Sequence, residues 1–125
     1  MDEAFIKSLL PRERIDEFFE AFYFGEEPAY FLELGLREWA PEAGKIVLEL
    51  RLSARPGMCL ACNLTSGLPA VFKKHPILNL EGIVQEIAQK IGPEYQVLSW
   101  DLGWTEQINR DLHVIPLVIK VGKAK

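Results

Sequence analysis

Histidine and cysteine are scarce in this chain, with two of each among 125 residues. A structural zinc site needs four ligands, usually in paired sets close in sequence. Cys59 and Cys62 form a single C-x-x-C pair, while His75 and His113 stand apart. A Ser-His-Asp set is equally hard to assemble, because Ser8, Ser53, Ser66 and Ser99 lie outside any G-x-S-x-G turn. Glycine-rich phosphate loops are missing as well. No stretch reaches the roughly 18–20 apolar residues that a membrane-spanning helix requires. The first residues, Met1 to Lys7, are acidic and amphipathic, unlike a secretory signal. These absences leave no catalytic residue, no metal and no cofactor to assign. They set the expectation of a reducing cytoplasmic compartment with no membrane contact.

Positive charge is also in short supply. The chain carries 14 basic and 18 acidic groups, a net charge of −4. Residues 1–50 hold five basic and twelve acidic groups, and residues 51–125 hold nine and six. Nucleic-acid binding rests on clustered Lys and Arg. The densest basic cluster is Lys73-Lys74-His75, set among apolar residues, so no nucleic-acid partner is expected.

What the chain does contain is apolar residues, 49% of the total, enough for the core of one domain spanning 1–125. In residues 2–24 the apolar positions Ile6, Leu9, Leu10, Ile15, Phe18, Phe19 and Phe22 recur at helical spacing. Pro11 divides that segment into a short first piece and a second helix, for which Gly25 is the expected C-cap. Strict alternation in Tyr30–Arg37 and Lys45–Leu52 predicts an antiparallel hairpin with one buried face, turning at Ala40–Gly44. Met58–Thr65 is apolar on both faces and reads as a more central strand. Residues 70–78 are ambiguous between strand and loop. Asn79 is a good N-cap for a helix to Ile91, stopped by Gly92-Pro93.

A second hairpin closes the pattern. Leu98, Trp100, Leu102 and Trp104 share one face of its first strand. The returning strand, Leu112–Val121, contains Pro116, which predicts an edge position or a bulge. The C-x-x-C pair lies within an apolar run with no helix after it, and residues three apart in a strand point to opposite faces. Buried, reduced thiols are therefore the expectation, not a redox dithiol.

The order α-β-β-β-α-β-β defines an α+β domain, with two main helices on a mostly antiparallel sheet of about five strands. In element order, size and acidity it is similar to the small type III secretion chaperones, dimers that hold an unfolded segment of a secreted partner against apolar grooves. That resemblance implies a homodimer and a protein partner, and it is one of topology, with no shared motif.

Two regions carry the candidate binding residues. The aromatic surplus of residues 18–31 places Tyr23 and Phe24 beside the main helical stripe, and an apolar surface left over on a small domain usually finds a partner. The hairpin region contributes Trp100, Asp101, Trp104, Glu106 and Arg110, in a polar loop flanked by tryptophans. The reading that follows is a non-enzymatic interaction module that self-associates. Its alternative is a small-ligand domain or small enzyme, with a pocket between helices and sheet at the 101–111 loop.

Overall fold

The computed structural model describes residues 2–24, 26, 28–58, 60 and 67–124. Asp2 opens α1 (Glu3–Ser8) by accepting the Phe5 N–H at 2.9 Å, which satisfies one of the orphan donors of a helix start. Pro11 sits immediately before α2 (Arg12–Tyr23), where its missing N–H costs nothing. The α2 stripe buries Ile15, Phe18 and Phe19, as the spacing predicts. Phe24 takes the left-handed C-cap conformation with φ 55°. The position expected to cap the helix, Gly25, lies outside the described residues.

The hairpin is β1 (Tyr30–Ala40) and β2 (Lys45–Ala54). Between them a short 3-10 turn, Pro41–Ala43, ends on Gly44 at φ 87°, a conformation suited to glycine. Of the strand expected over Met58–Thr65, Met58 and Leu60 lie in no strand, and the remaining positions, Cys59 and Cys62 among them, fall outside the described residues. Residues 70–78, read as strand or loop, belong largely to a helix, α3 (Leu68–Lys74). The reason is Pro69, which acts here as a helix-opening residue within the first turn instead of a break. The helix ends at His75, as the proline at position 76 requires. Asn79 then caps α4 (Leu80–Lys90) by accepting the Gly82 N–H at 3.2 Å, with Leu80, Ile83, Val84 and Ile87 buried.

The remaining strands are β3 (Tyr95–Leu102), β4 (Glu106–Asn109) and β5 (Leu112–Lys123). The domain is thus α+β, with four helices and one antiparallel sheet of five strands. Its strand order is β1-β2-β5-β3, with β4 beside β5 on the same flank as β3. The described element order, α-α-β-β-α-α-β-β-β, differs from the order on which the likeness to secretion chaperones rested.

Two expectations for the last hairpin are corrected. Pro116 lies in the central strand, not at an edge. It is tolerated because β5 meets two short neighbours there. β3 ends opposite Leu117 and β4 begins opposite Val114, so the missing N–H falls at the gap between them. The Pro116 carbonyl still accepts the Gly103 N–H at 2.9 Å. A side chain at 103 would meet the Pro116 ring at 2.8 Å, which explains the glycine. Leu98 does not share a face with Trp100, because a β-bulge between Val97 and Ser99 turns it out to 61% exposure.

One face of the sheet receives the helices. Leu34, Ile46, Leu48, Leu50, Ile115, Leu117 and Ile119 pack there with Ile6, Phe18, Phe72 and Ile87 in one core. The opposite face carries Glu33, Arg37, Glu49 and Arg51 in alternation. No described helix is long and apolar enough to cross a membrane.

Candidate functional site

The outer side of β1 offers the first site. β1 pairs with β2 on one side and with no other described strand. Two bonds fix which residues face outward. The Ala29 carbonyl accepts from the Arg55 N–H, so odd-numbered residues turn toward β2, whereas the Leu36 N–H bonds the Glu3 carboxylate at 3.1 Å on the other side. Alternation then directs the N–H and C=O of Leu32 and Leu34 away from β2, into a covered edge where the two residues are only 6% and 1% exposed. Beside this edge runs a groove of about 420 Å³, lined by Leu10, Ile15, Phe19, Phe31, Leu32 and Leu34 with Lys7, Arg12, Asp16, Glu33 and Arg55. Arg55 shapes its upper end. Its Nε donates to the Tyr30 carbonyl at 3.0 Å, and its guanidinium lies 4.4 Å from the Phe31 ring centre. Phe31 is 49% exposed. Lys7 and Glu33 pair across the groove at 3.4 Å.

Glu3 closes the lower end. Burial works against its charge, but the Leu36 N–H and the Arg51 guanidinium outweigh that and hold the carboxyl below its ordinary range. Arg51 reaches Glu3 at 2.6 Å by passing over Gly35, where any side chain would overlap its guanidinium.

A second cleft, about 390 Å³, lies where β3 gives way to β4. It is lined by Gly67, Pro69, Ala70, Lys73, Asp101, Leu102, Gly103 and Trp104. Trp104 is 89% exposed at its rim. The two charges in it satisfy each other, Lys73 Nζ lying 2.8 Å from Asp101. Lys73 and the Leu102 N–H hold the Asp101 carboxyl below its usual range. Trp100 lies beneath, half-buried, donating its indole N–H to Glu81.

The structure therefore brings Asp101 and Trp104 to one cleft, with Trp100 outside its lining but 5.9 Å from Lys73 Nζ, and scatters the other residues marked from the sequence. Glu106 is bound to Arg37 across the charged sheet face at 2.9 Å. Arg110 is exposed in the β4–β5 turn. Tyr23 is half-buried against Phe19, Phe22 and Tyr30, with the two tyrosine hydroxyls 2.8 Å apart. Burial pushes both hydroxyls above their ordinary pKa, Tyr30 furthest. Phe24 projects from the end of α2 at 90% exposure. Among the described residues no group of three or more His, Cys, Asp or Glu side chains is placed to hold a metal.

The β1 groove was missed in the sequence because its walls come from three elements, and no spacing within one element reveals that adjacency. One signal was available. Phe31 falls on the charged phase of its strand, beside Glu33, where alternation calls for a polar residue.

The chain matches no protein-family model. No solved structure matches it significantly. A 94-residue stretch is 28% identical to the isoleucine–tRNA ligase of Pseudoalteromonas atlantica, covering 70% of this chain and 10% of that protein. The chain thus spans about a tenth of the curated relative it matches.

Proposed function

We propose that this domain is a non-enzymatic protein-interaction module of the cytoplasm, chaperone- or adaptor-like and self-associating, that takes an extended segment into the apolar groove beside β1. The observation that carries the reading is the groove of about 420 Å³ beside β1, with apolar walls at Leu10, Ile15 and Phe19 and the 49% exposed Phe31 ring on it. A peptide docks in such a groove by burying apolar side chains in it, and its pockets select among them. An exposed edge is ordinarily covered or charged to prevent strand pairing. Here the edge is covered, with Leu32 6% and Leu34 1% exposed and Glu3 holding the Leu36 N–H, so the groove beside it is what remains for a partner.

The test is NMR of the Phe31 ring in the presence of short random peptides. Shifted ring resonances support the reading. Peptide binding that leaves them unchanged refutes the assigned site.

The second reading, a small-ligand site at the β3–β4 cleft, is favoured by the exposed Trp104 at its rim. The mutual pairing of Lys73 and Asp101 weakens it, since a ligand site needs polar groups directed at the ligand. A fragment screen read by Trp104 fluorescence distinguishes the two.

A further inference from the structure

We infer that the segment taken by the groove beside β1 carries a carboxylate next to its apolar side chains, although the chain as a whole is acidic. The inference rests on the interaction-module reading and names the chemistry of its partner. Leu10, Ile15 and Phe19 give the groove its apolar wall, and the Phe31 ring, 49% exposed, is the surface left for a partner to cover. Burying an apolar side chain there contributes affinity but selects no charge. The charged groups of the lining do select one. They are Lys7, Arg12 and Arg55 against Asp16 and Glu33, three cations and two carboxylates.

That balance runs against the rest of the molecule. The chain carries a net charge of −4, and residues 1–50 hold five basic groups against twelve acidic ones. Two of those five, Lys7 and Arg12, line this groove. Glu33 is already met by Lys7 at 3.4 Å and by Arg51 at 3.6 Å, so its charge is answered twice. Arg12 is exposed at the start of α2, moderated by Asp16 four residues on. A side chain laid over Phe31 also comes against the Arg55 guanidinium, 4.4 Å from the ring centre. Two effects of opposite sign therefore compete. The field of the whole chain attracts cations, whereas the groove favours a carboxylate. Glu13, Glu17 and Glu20 of α2 are exposed but lie outside the groove lining. At physiological salt, charges beyond about 8 Å are largely screened, so the contacts within the groove decide.

Fluorescence anisotropy with three labelled peptides tests the proposal. Each has the same leucine–phenylalanine–leucine centre, flanked by two glutamates, two glutamines or two lysines. At physiological salt the glutamate-flanked peptide should bind about fivefold more tightly than the lysine-flanked one, with the glutamine peptide between them. Arg12→Glu should abolish or invert that order. A carboxylate suits the first turn of α2, so this variant should fold, and an unchanged melting temperature verifies it. Phe31→Ala should weaken all three peptides alike. Equal binding of the three overturns the proposal, as does tighter binding of the lysine-flanked peptide. An Arg12→Glu variant that keeps the original order overturns it too. In each of those cases, binding that is still lost in Phe31→Ala leaves the interaction module standing without an acidic partner. If none of the three peptides binds, both readings fall.

Discussion

Arg37 on β1 holds Glu106 on β4 through two N–H···O bonds of 2.9 and 3.2 Å, passing over β2 and β5. Three inter-strand spacings, about 14 Å, separate the two strands. The same guanidinium donates from Nε to Glu49 on β2 at 2.8 Å. The bond to Glu106, with burial opposing and Glu49 adding, raises the Arg37 pKa further. Each side chain remains about a third or more exposed, so the bidentate geometry is discounted for solvent screening. A double-mutant cycle with Arg37→Ala and Glu106→Ala should give a coupling of about 0.5–1 kcal/mol that shrinks as salt rises. Chemical denaturation at low and high ionic strength measures it, and a salt-independent value would contradict the account.

Gly35→Ala should loosen α1 as well as lower stability. The added methyl displaces Arg51, which ties Glu3 to the sheet while pairing with Glu49. We expect a loss of about 1–2 kcal/mol and faster exchange of the Leu36 amide, whose acceptor is Glu3. Unchanged Leu36 exchange would show that Arg51 does not hold Glu3.

Phe24→Gly should stabilise the domain. A left-handed backbone disfavours residues with a Cβ by about 1 kcal/mol, and at 90% exposure Phe24 gains little burial in return. A rise in Tm of a few degrees is expected. If partner capture falls at the same time, the strain at Phe24 serves binding; if capture is unchanged, Phe24 is not part of the surface.

His113 should make the fold acid-sensitive. It is 2% exposed, and burial holds its pKa below the ordinary value of 6.5. The unfolded chain therefore binds a proton that the native state resists, so stability is complete above about pH 7 and falls as pH drops through the ordinary histidine range. His113→Gln should flatten this slope in melts between about pH 5 and pH 8. An identical slope in the variant would assign it elsewhere.

Phe18→Ala should cost about 3–5 kcal/mol, a large share of the stability of a small domain. Phe18 is fully buried and meets Phe19, Phe22, Phe72 and His75. Phe22, only half-buried, should cost clearly less in the same change. Equal losses in urea titrations would mean that the two rings are equally enclosed.

The period of the apolar residues decided the elements wherever one residue type served one local purpose. Helical spacing located α2, strict alternation located β1 and β2, and Asn79 marked the start of α4. Local reading failed where a residue has two uses. Pro69 can end a strand or open a helix; here it opens α3, whose Phe72 is fully buried in the core. Leu98 left its expected face because a bulge, invisible in composition, inserts one residue against β5.

The candidate sites divide in the same way. The sequence determined that the domain is α+β, that it carries more aromatic surface than one helix face uses, and that the hairpin loop is polar with flanking tryptophans. Only the tertiary structure decided which of those groups are occupied. Glu106 and Asp101 are engaged by Arg37 and Lys73, residues far away in the chain, while the groove beside β1 is set by the place of that strand at the end of the sheet. The physical reason is that periodicity records which way a side chain points, whereas pairing and sheet order depend on long-range contacts that leave no regular spacing in the sequence.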